Sequence, residues 1–156
     1  MSEAWLPDRF VHPARAQITE AIHARPIRGD DVAIDMPAVM GNRDMLWRMY
    51  GEAWGWPPAS MTAEQDREDL ERHAREIEAH ESFNYAVLTR DEDRLLGCIY
   101  LDPLPPDAAG PVAEVSWWLV ADADAGLREA LDAVVPAWLA RDWPFVRVET
   151  PFQPGG

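Results

Sequence analysis

Hydrophobic and polar positions are most regular between Phe83 and Val120. Phe83, Tyr85 and Val87 alternate with Asn84, Ala86 and Leu88, which predicts a mostly buried strand. Asp91-Glu92-Asp93 reads as a hairpin tip, and Leu95–Leu101 predicts the return strand. Pro103, Pro105, Pro106, Gly110 and Pro111 then predict a break, after which Ala113–Val120 predicts a third strand. Leu127, Leu131, Val134, Val135, Trp138 and Leu139 recur at helical spacing. Pro136 conflicts with one straight helix: either the helix kinks there or a second turn begins. Phe145–Glu149 predicts a short last strand. The helix before it is long enough for a right-handed crossover, which makes the third and last strands parallel neighbours.

The first half is less regular. Residues 1–23 read as an irregular arm, with Trp5, Leu6, Phe10 and Val11 available to pack on the body and Pro7 and Pro13 opposing a helix. Ala24–Ile27 predicts a first strand and Arg28-Gly29-Asp30-Asp31 a turn. Pro37 suits the first turn of a helix reaching Tyr50, and Gly51–Ser60 reads as a loop. Thr62 and Gln65 have capping-box spacing, so a second helix opens at Thr62 and ends before Phe83. Glu68–Arg72 and Glu71–Arg75 are acid-first pairs on its surface, and Leu70, Ala74 and Ile77 form its thin apolar stripe. The order predicts a single α+β domain over residues 1–156, with a core over 24–149 and a mostly antiparallel sheet flanked by helices.

Composition narrows the function. The net charge is −14, and all 14 basic residues are arginine. A chain this acidic is repelled by nucleic acid and by anionic lipid, so neither is expected as a partner. No apolar run approaches the ~18 residues of a membrane span, and the N-terminus lacks a signal-peptide pattern. Cys98 is the only cysteine and sits in the apolar run LLGCIYL, as a small buried thiol of a cytoplasmic protein would. His73, Glu76 and His80 share a helix face but lack the spacing of a zinc-binding histidine pair, so no metal is expected. Hydrolase, Walker and dinucleotide fingerprints are absent.

The element order, with DLERHA at Asp69–Ala74, FNYAVL at Phe83–Leu88, LLGCIYL at Leu95–Leu101, VSWWLV at Val115–Val120 and AWLARDWPF at Ala137–Phe145, resembles the GNAT superfamily of GCN5-related N-acetyltransferases. The likeness covers about Ala24 to Glu149 and is narrowest to a short actinobacterial-type group. It implies a GNAT-like acyl-CoA N-acyltransferase fold in which acetyl-CoA enters between the two parallel strands. Main-chain groups of Leu119, Val120 and Ala121 would then hold pantetheine. The pyrophosphate would sit at the turn into the following helix, where free N–H groups and the helix dipole favour an anion.

That turn departs from the family pattern of Arg or Gln, two residues, Gly, one residue, then Gly or Ala. Ala125 stands at the first place, Gly126 comes early, Arg128 stands where Gly is expected, and Ala130 fits. Asp122 and Asp124 precede it, placing negative charge where a pyrophosphate would bind. The superfamily also continues with a further helix and two strands, so the expected frame is C-terminally truncated, and no tyrosine follows Tyr100 to serve as general acid.

By the same resemblance Glu114 is the candidate base for a protonated amine. Trp54 and Trp56 fall in the acceptor-binding loop, where their rings suit a cationic or flat amine. Trp117 is a further candidate, although Trp117 and Trp118 point to opposite faces of one strand. Two readings stay open: an acetyl-CoA-dependent N-acetyltransferase for an unidentified amine, or a non-catalytic module of the same fold that binds a partner or forms a homodimer.

Overall fold

The computed structural model describes residues 4–154. Its sheet has six strands in sequence order: β1 (Ala16–Gln17), β2 (Ile22–Pro26), β3 (Phe83–Thr89), β4 (Leu95–Asp107), β5 (Gly110–Leu119) and β6 (Arg147–Glu149). Neighbours are antiparallel except β5 and β6, which are parallel and joined by helix α4 (Ala125–Asp142). The predicted parallel pairing of the third and last strands across a helix is therefore present. Helices α1 (Val32–Met40), α2 (Arg43–Trp54) and α3 (Ala63–Glu78) fill the connection between β2 and β3.

Strand alternation divides the sheet into two faces. On one face, Phe83, Tyr85 and Trp117 turn toward α4 and the N-terminal arm. The Trp117 indole N–H donates to Asp132 (2.8 Å), Tyr85 packs edge-on to Trp138, and Phe83 contacts Trp143 and Trp5. The other face carries Asn84, Tyr100, Asp102, Glu114, Ser116 and Trp118, with the first three helices above it. There the Tyr50 hydroxyl bonds Ser116 (3.0 Å) and the Trp118 indole N–H bonds the Tyr100 hydroxyl (2.9 Å). The functional features lie on this second, more polar face.

Four elements differ from expectation. The arm is not wholly irregular, because Ala16 and Gln17 pair with Ala24 and His23 and cover the edge of β2. The first helix starts at Val32 and is interrupted at Gly41-Asn42, so Pro37 lies inside α1 rather than in its first turn. Its early start follows from an ion cluster: Arg25 grips Asp31 through two bonds of 2.9 Å, and Asp31 accepts the Arg28 N–H, winding the turn that leads into α1. Glu92, at the hairpin tip, joins the cluster through His23 and Arg25.

The proline-rich stretch is not a break. Pro103 pairs with Ala113 and Leu104 with Val112, so β4 runs on to Asp107. Beyond Leu101, β3 has ended and β4 has only β5 beside it, and a missing proline N–H costs nothing on an open edge. Pro136 is likewise absorbed into one continuous α4.

Gly97 opposes Leu119 and fixes where β5 ends against β4. A methyl group there would stand 1.9 Å from the Trp118 carbonyl oxygen, which is backbone and cannot yield. Gly97→Ala is expected to lower unfolding free energy by about 3 kcal/mol or more, read from the urea midpoint, whereas a loss below about 1 kcal/mol would contradict this close approach.

Candidate functional site

The site begins with a register. Asp102 on β4 pairs directly with Glu114 on β5, and Glu114 pairs with Glu149 on β6. Residues paired in this way project from the same face, so three carboxylates form a row across three strands. Asp102 and Glu114 border a cleft of about 570 Å³ between the polar face of the sheet and the helices, a volume suited to a small molecule.

The acids are not simply solvated. Burial raises Asp102 from 3.8 to about 6, with Glu114 and Glu76 pushing the same way and a bond from the Ser82 hydroxyl (3.1 Å) opposing them. Burial also raises Glu114, assisted by Glu149. A carboxylate that titrates near neutrality in a cleft is a candidate base.

Aromatic rings form one wall. Trp54 stacks on Tyr50 with centroids 4.3 Å apart and planes 7° apart, and Trp54 and Trp56 meet Tyr100 edge-on. Along α3, Asp69, Arg72, His73 and Glu76 line the same cleft, and Arg72 is held by Asp69 and Glu76. Asp35 from α1, Asp66 from α3 and Asn84 from β3 also line it, and all three are buried.

A second feature adjoins the carboxylate row. Strand β6 pairs only with Val112–Glu114, so among the described residues the edge of β5 from Val115 to Leu119 has no strand beside it. On that edge the Trp117 N–H donates to the Gln153 side-chain oxygen (2.9 Å), while Phe152 packs on Tyr50 and Trp54. Strand alternation points the Leu119 N–H the same way. Val120 donates instead to Leu96 (2.8 Å), and the Ala121 N–H donates to Asn42 Oδ1 (2.8 Å).

The turn into α4 is largely satisfied internally. Asp124 caps the helix by accepting the Leu127 N–H (2.7 Å), and Asp122 is gripped by Arg94 at 2.8 and 3.0 Å. Arg128 folds back onto the carbonyls of Val120 and Ala121. Only the first-turn N–H groups of Ala125 and Gly126 lack intrahelical acceptors by helix geometry. Ala130 lies one turn further along, half-buried.

Of the residues singled out in the sequence, Glu114, Trp54 and Trp56 meet in the cleft. Trp117 does not join them, because its ring lies on the opposite face beneath α4. Sequence reasoning reached Glu114 but missed Asp102, Asp35, Asp66 and Asn84. An acidic residue directly after the apolar run Leu95–Leu101 was the available signal for Asp102, and the strand pairing supplies its meaning.

The sequence matches a family model described as an acetyltransferase (GNAT) domain over residues 22–153. No curated protein matches it. Among solved structures, the chain resembles the ribosomal L7/L12 alpha-N-protein acetyltransferase RimL with a TM-score of 0.61 and 15% identity, over 83% of this chain and 67% of that one. It resembles the ribosomal-protein-S5-alanine acetyltransferase from Vibrio fischeri with a TM-score of 0.59 and 16% identity, over 82% and 68%. It also resembles the microcin C7 self-immunity acetyltransferase MccE, solved with acetyl-CoA and AMP, with a TM-score of 0.64 and 11% identity, over 87% and 73%. At these identities the likeness is one of fold.

Asp102 yields a stability test. In the folded chain it keeps its proton up to about pH 6, whereas at its ordinary value of 3.8 the unfolded chain has already released it. Unfolding therefore sheds a proton in that interval, and stability falls as pH rises through it. Asp102→Asn removes the penalty. It is expected to stabilise the protein by about 2 kcal/mol near pH 8 and by little below about pH 4, measured by chemical denaturation. Equal effects at both pH values would contradict the assigned titration.

Proposed function

The chain belongs to the GNAT acetyltransferase family, and from that premise we propose that it moves an acetyl group from acetyl-CoA to the nitrogen of a cationic amine held in the acidic cleft. One observation carries this reading: the Asp102–Glu114 pair borders the cleft at the place where β5 parts from β6. An amine bound there meets carboxylates on one side and, on the other, the edge of β5 that β6 leaves uncovered.

The open edge suits a thioester. The Trp117 N–H already donates to the side-chain amide oxygen of Gln153, so it is a competent donor to a carbonyl once Gln153 withdraws. The Leu119 N–H, two residues on, is placed for a pantetheine amide, beside main-chain groups of Val120 and Ala121. At the turn, Ala125 and Gly126 offer first-turn N–H groups to a pyrophosphate, and Ala130, one turn further along, has only a methyl side chain. Arg94 neutralises Asp122, which removes one repulsive charge. Arg128 would have to leave its carbonyls to assist. Acetyl-CoA, when bound, supplies the activated acyl group. The acetyl complex of MccE supports that choice of donor.

The protein's part is positioning and proton transfer. Amines arrive protonated at neutral pH, and the anionic cleft attracts them in that form. Asp102, titrating near 6, and Glu114, also raised, accept the proton that the nitrogen must lose. The nitrogen forms its bond to the acyl carbon as the carbon–sulfur bond breaks, and the CoA thiolate then takes up a proton. Trp117 N–H bears the charge developing on the acyl oxygen. Trp54 and Trp56 flank the amine and shield it from water.

A second reading has its own observation. The N–H groups of Trp117 and Ala121 are already satisfied by Gln153 and Asn42, which is what a non-catalytic module of this fold needs. Binding separates the two: calorimetric titration with acetyl-CoA shows saturable heat for the transferase and none for the module.

Given turnover, Glu114→Gln and Asp102→Asn are each expected to lower kcat/KM by about 10²-fold. The wild-type kcat/KM should rise with pH through about 6 as Asp102 ionises, and this acid limb should change in Asp102→Asn. Unaltered rates in both variants would remove the carboxylate pair from the mechanism.

A further inference from the structure

The inner wall of the cleft holds polar groups that the acyl-transfer chemistry leaves unused. Asp35, Asp66 and Asn84 are 4%, 1% and 4% exposed, and they come from α1, α3 and β3. The Asp35 and Asp66 carboxyls are in hydrogen-bond contact, which two carboxylates can make only with a proton between them. Burial raises both, Asp35 well above its ordinary value, and the shared bond favours the proton on Asp35. Asp66 Oδ2 is buried with no hydrogen-bonding partner among the described residues, and the same holds for Asn84 Oδ1. Two unpartnered buried acceptors are costly to keep unless something donates to them.

We propose that this inner wall is a second cation subsite, so that the acceptor is a short diamine with one nitrogen at Asp102 and Glu114 and the other, as an ammonium, at Asp66 and Asn84. The proposal rests on the transferase reading of the outer carboxylates and deepens it to a substrate class. The spacing is set by the sheet. Asn84 faces Tyr100, and Asp102 lies two residues further along β4 on the same face, so the Cα atoms of Asn84 and Asp102 stand about 8 Å apart. A few methylene groups bridge that distance, and Tyr100 and the nearby indoles offer apolar surface to them. An ammonium has three N–H donors and supplies what Asp66 Oδ2 and Asn84 Oδ1 lack. Among the described residues, no group of three or more His, Cys, Asp and Glu side chains is arranged to hold a metal ion.

The test is calorimetric titration of the whole chain, without acetyl-CoA, using 1,4-diaminobutane and n-butylamine as probes and calcium as a control. The diamine is expected to bind about tenfold more tightly or better. Asp66→Asn keeps the shape and removes one carboxyl of the buried pair. It should narrow the preference to less than about threefold. Asn84→Leu, which removes the other unpartnered acceptor, gives the same readout should Asp66→Asn fail to fold. Equal affinity for the two amines, an unchanged preference in the variants, or calcium binding that Asp66→Asn abolishes would each overturn the subsite. A diamine that binds with the expected preference but is never acetylated overturns the transferase reading and leaves the subsite standing. Acetylation of amines without any diamine preference does the reverse.

Discussion

The pairing of β4 with β5 is the constraint on which the rest depends. It sets Asp102 beside Glu114, Tyr100 beside Ser116, and Gly97 beside Leu119 in one continuous register. A slip of β5 by one residue would turn Glu114 away from Asp102 to the face beneath α4 and bring Trp117 into the cleft. The hairpin has few ways to slip, because Gly97 admits the Trp118 carbonyl at a distance no other residue allows. The Trp118–Tyr100 bond ties the same two strands from the polar face. Because β5 outruns its parallel neighbour β6, the register that aligns the acids also ends beside an unpaired strand edge. The acid pair and the open backbone are two results of one geometry.

This arrangement works against stability. Asp35, Asp66, Asp102 and Glu114 are all held above their ordinary pKa by burial, so each would be easier to accommodate as an uncharged residue. The compensation lies elsewhere, in the aromatic packing of the opposite face and in the Arg25–Asp31–Glu92 cluster that anchors α1 to the sheet. Such a division, with a satisfied scaffold and a strained polar cleft, is expected where function opposes folding.

Much of the frame was legible in the chain. The alternation at Phe83–Leu88, the apolar run at Leu95–Leu101 and the stripe from Leu127 to Leu139 carry period and burial locally. Prolines misled. Pro103, Pro105 and Pro106 read as a break because the sequence does not show that β3 begins only at Phe83, opposite Leu101, and leaves the rest of β4 an open edge. Glu114 could be named from its place at the start of a strand. Asp102 could not, since its role needs a cross-strand partner within reach, and that depends on a hairpin loop whose length prolines obscured. Asp35, Asp66 and Asn84 are further apart still, on three elements that only tertiary packing brings together. Trp117 was chosen for its type, and the face to which it turns is a matter of register.

The central claim is that a carboxylate row beside an open strand edge acetylates an amine. Incubation of the protein with acetyl-CoA and a panel of small amines, read by release of the free CoA thiol, tests it most directly. The account predicts amine-dependent thiol release that is favoured by cationic amines and rises with pH through about 6. Thiol release that is independent of any amine, or no binding of acetyl-CoA at all, would contradict it.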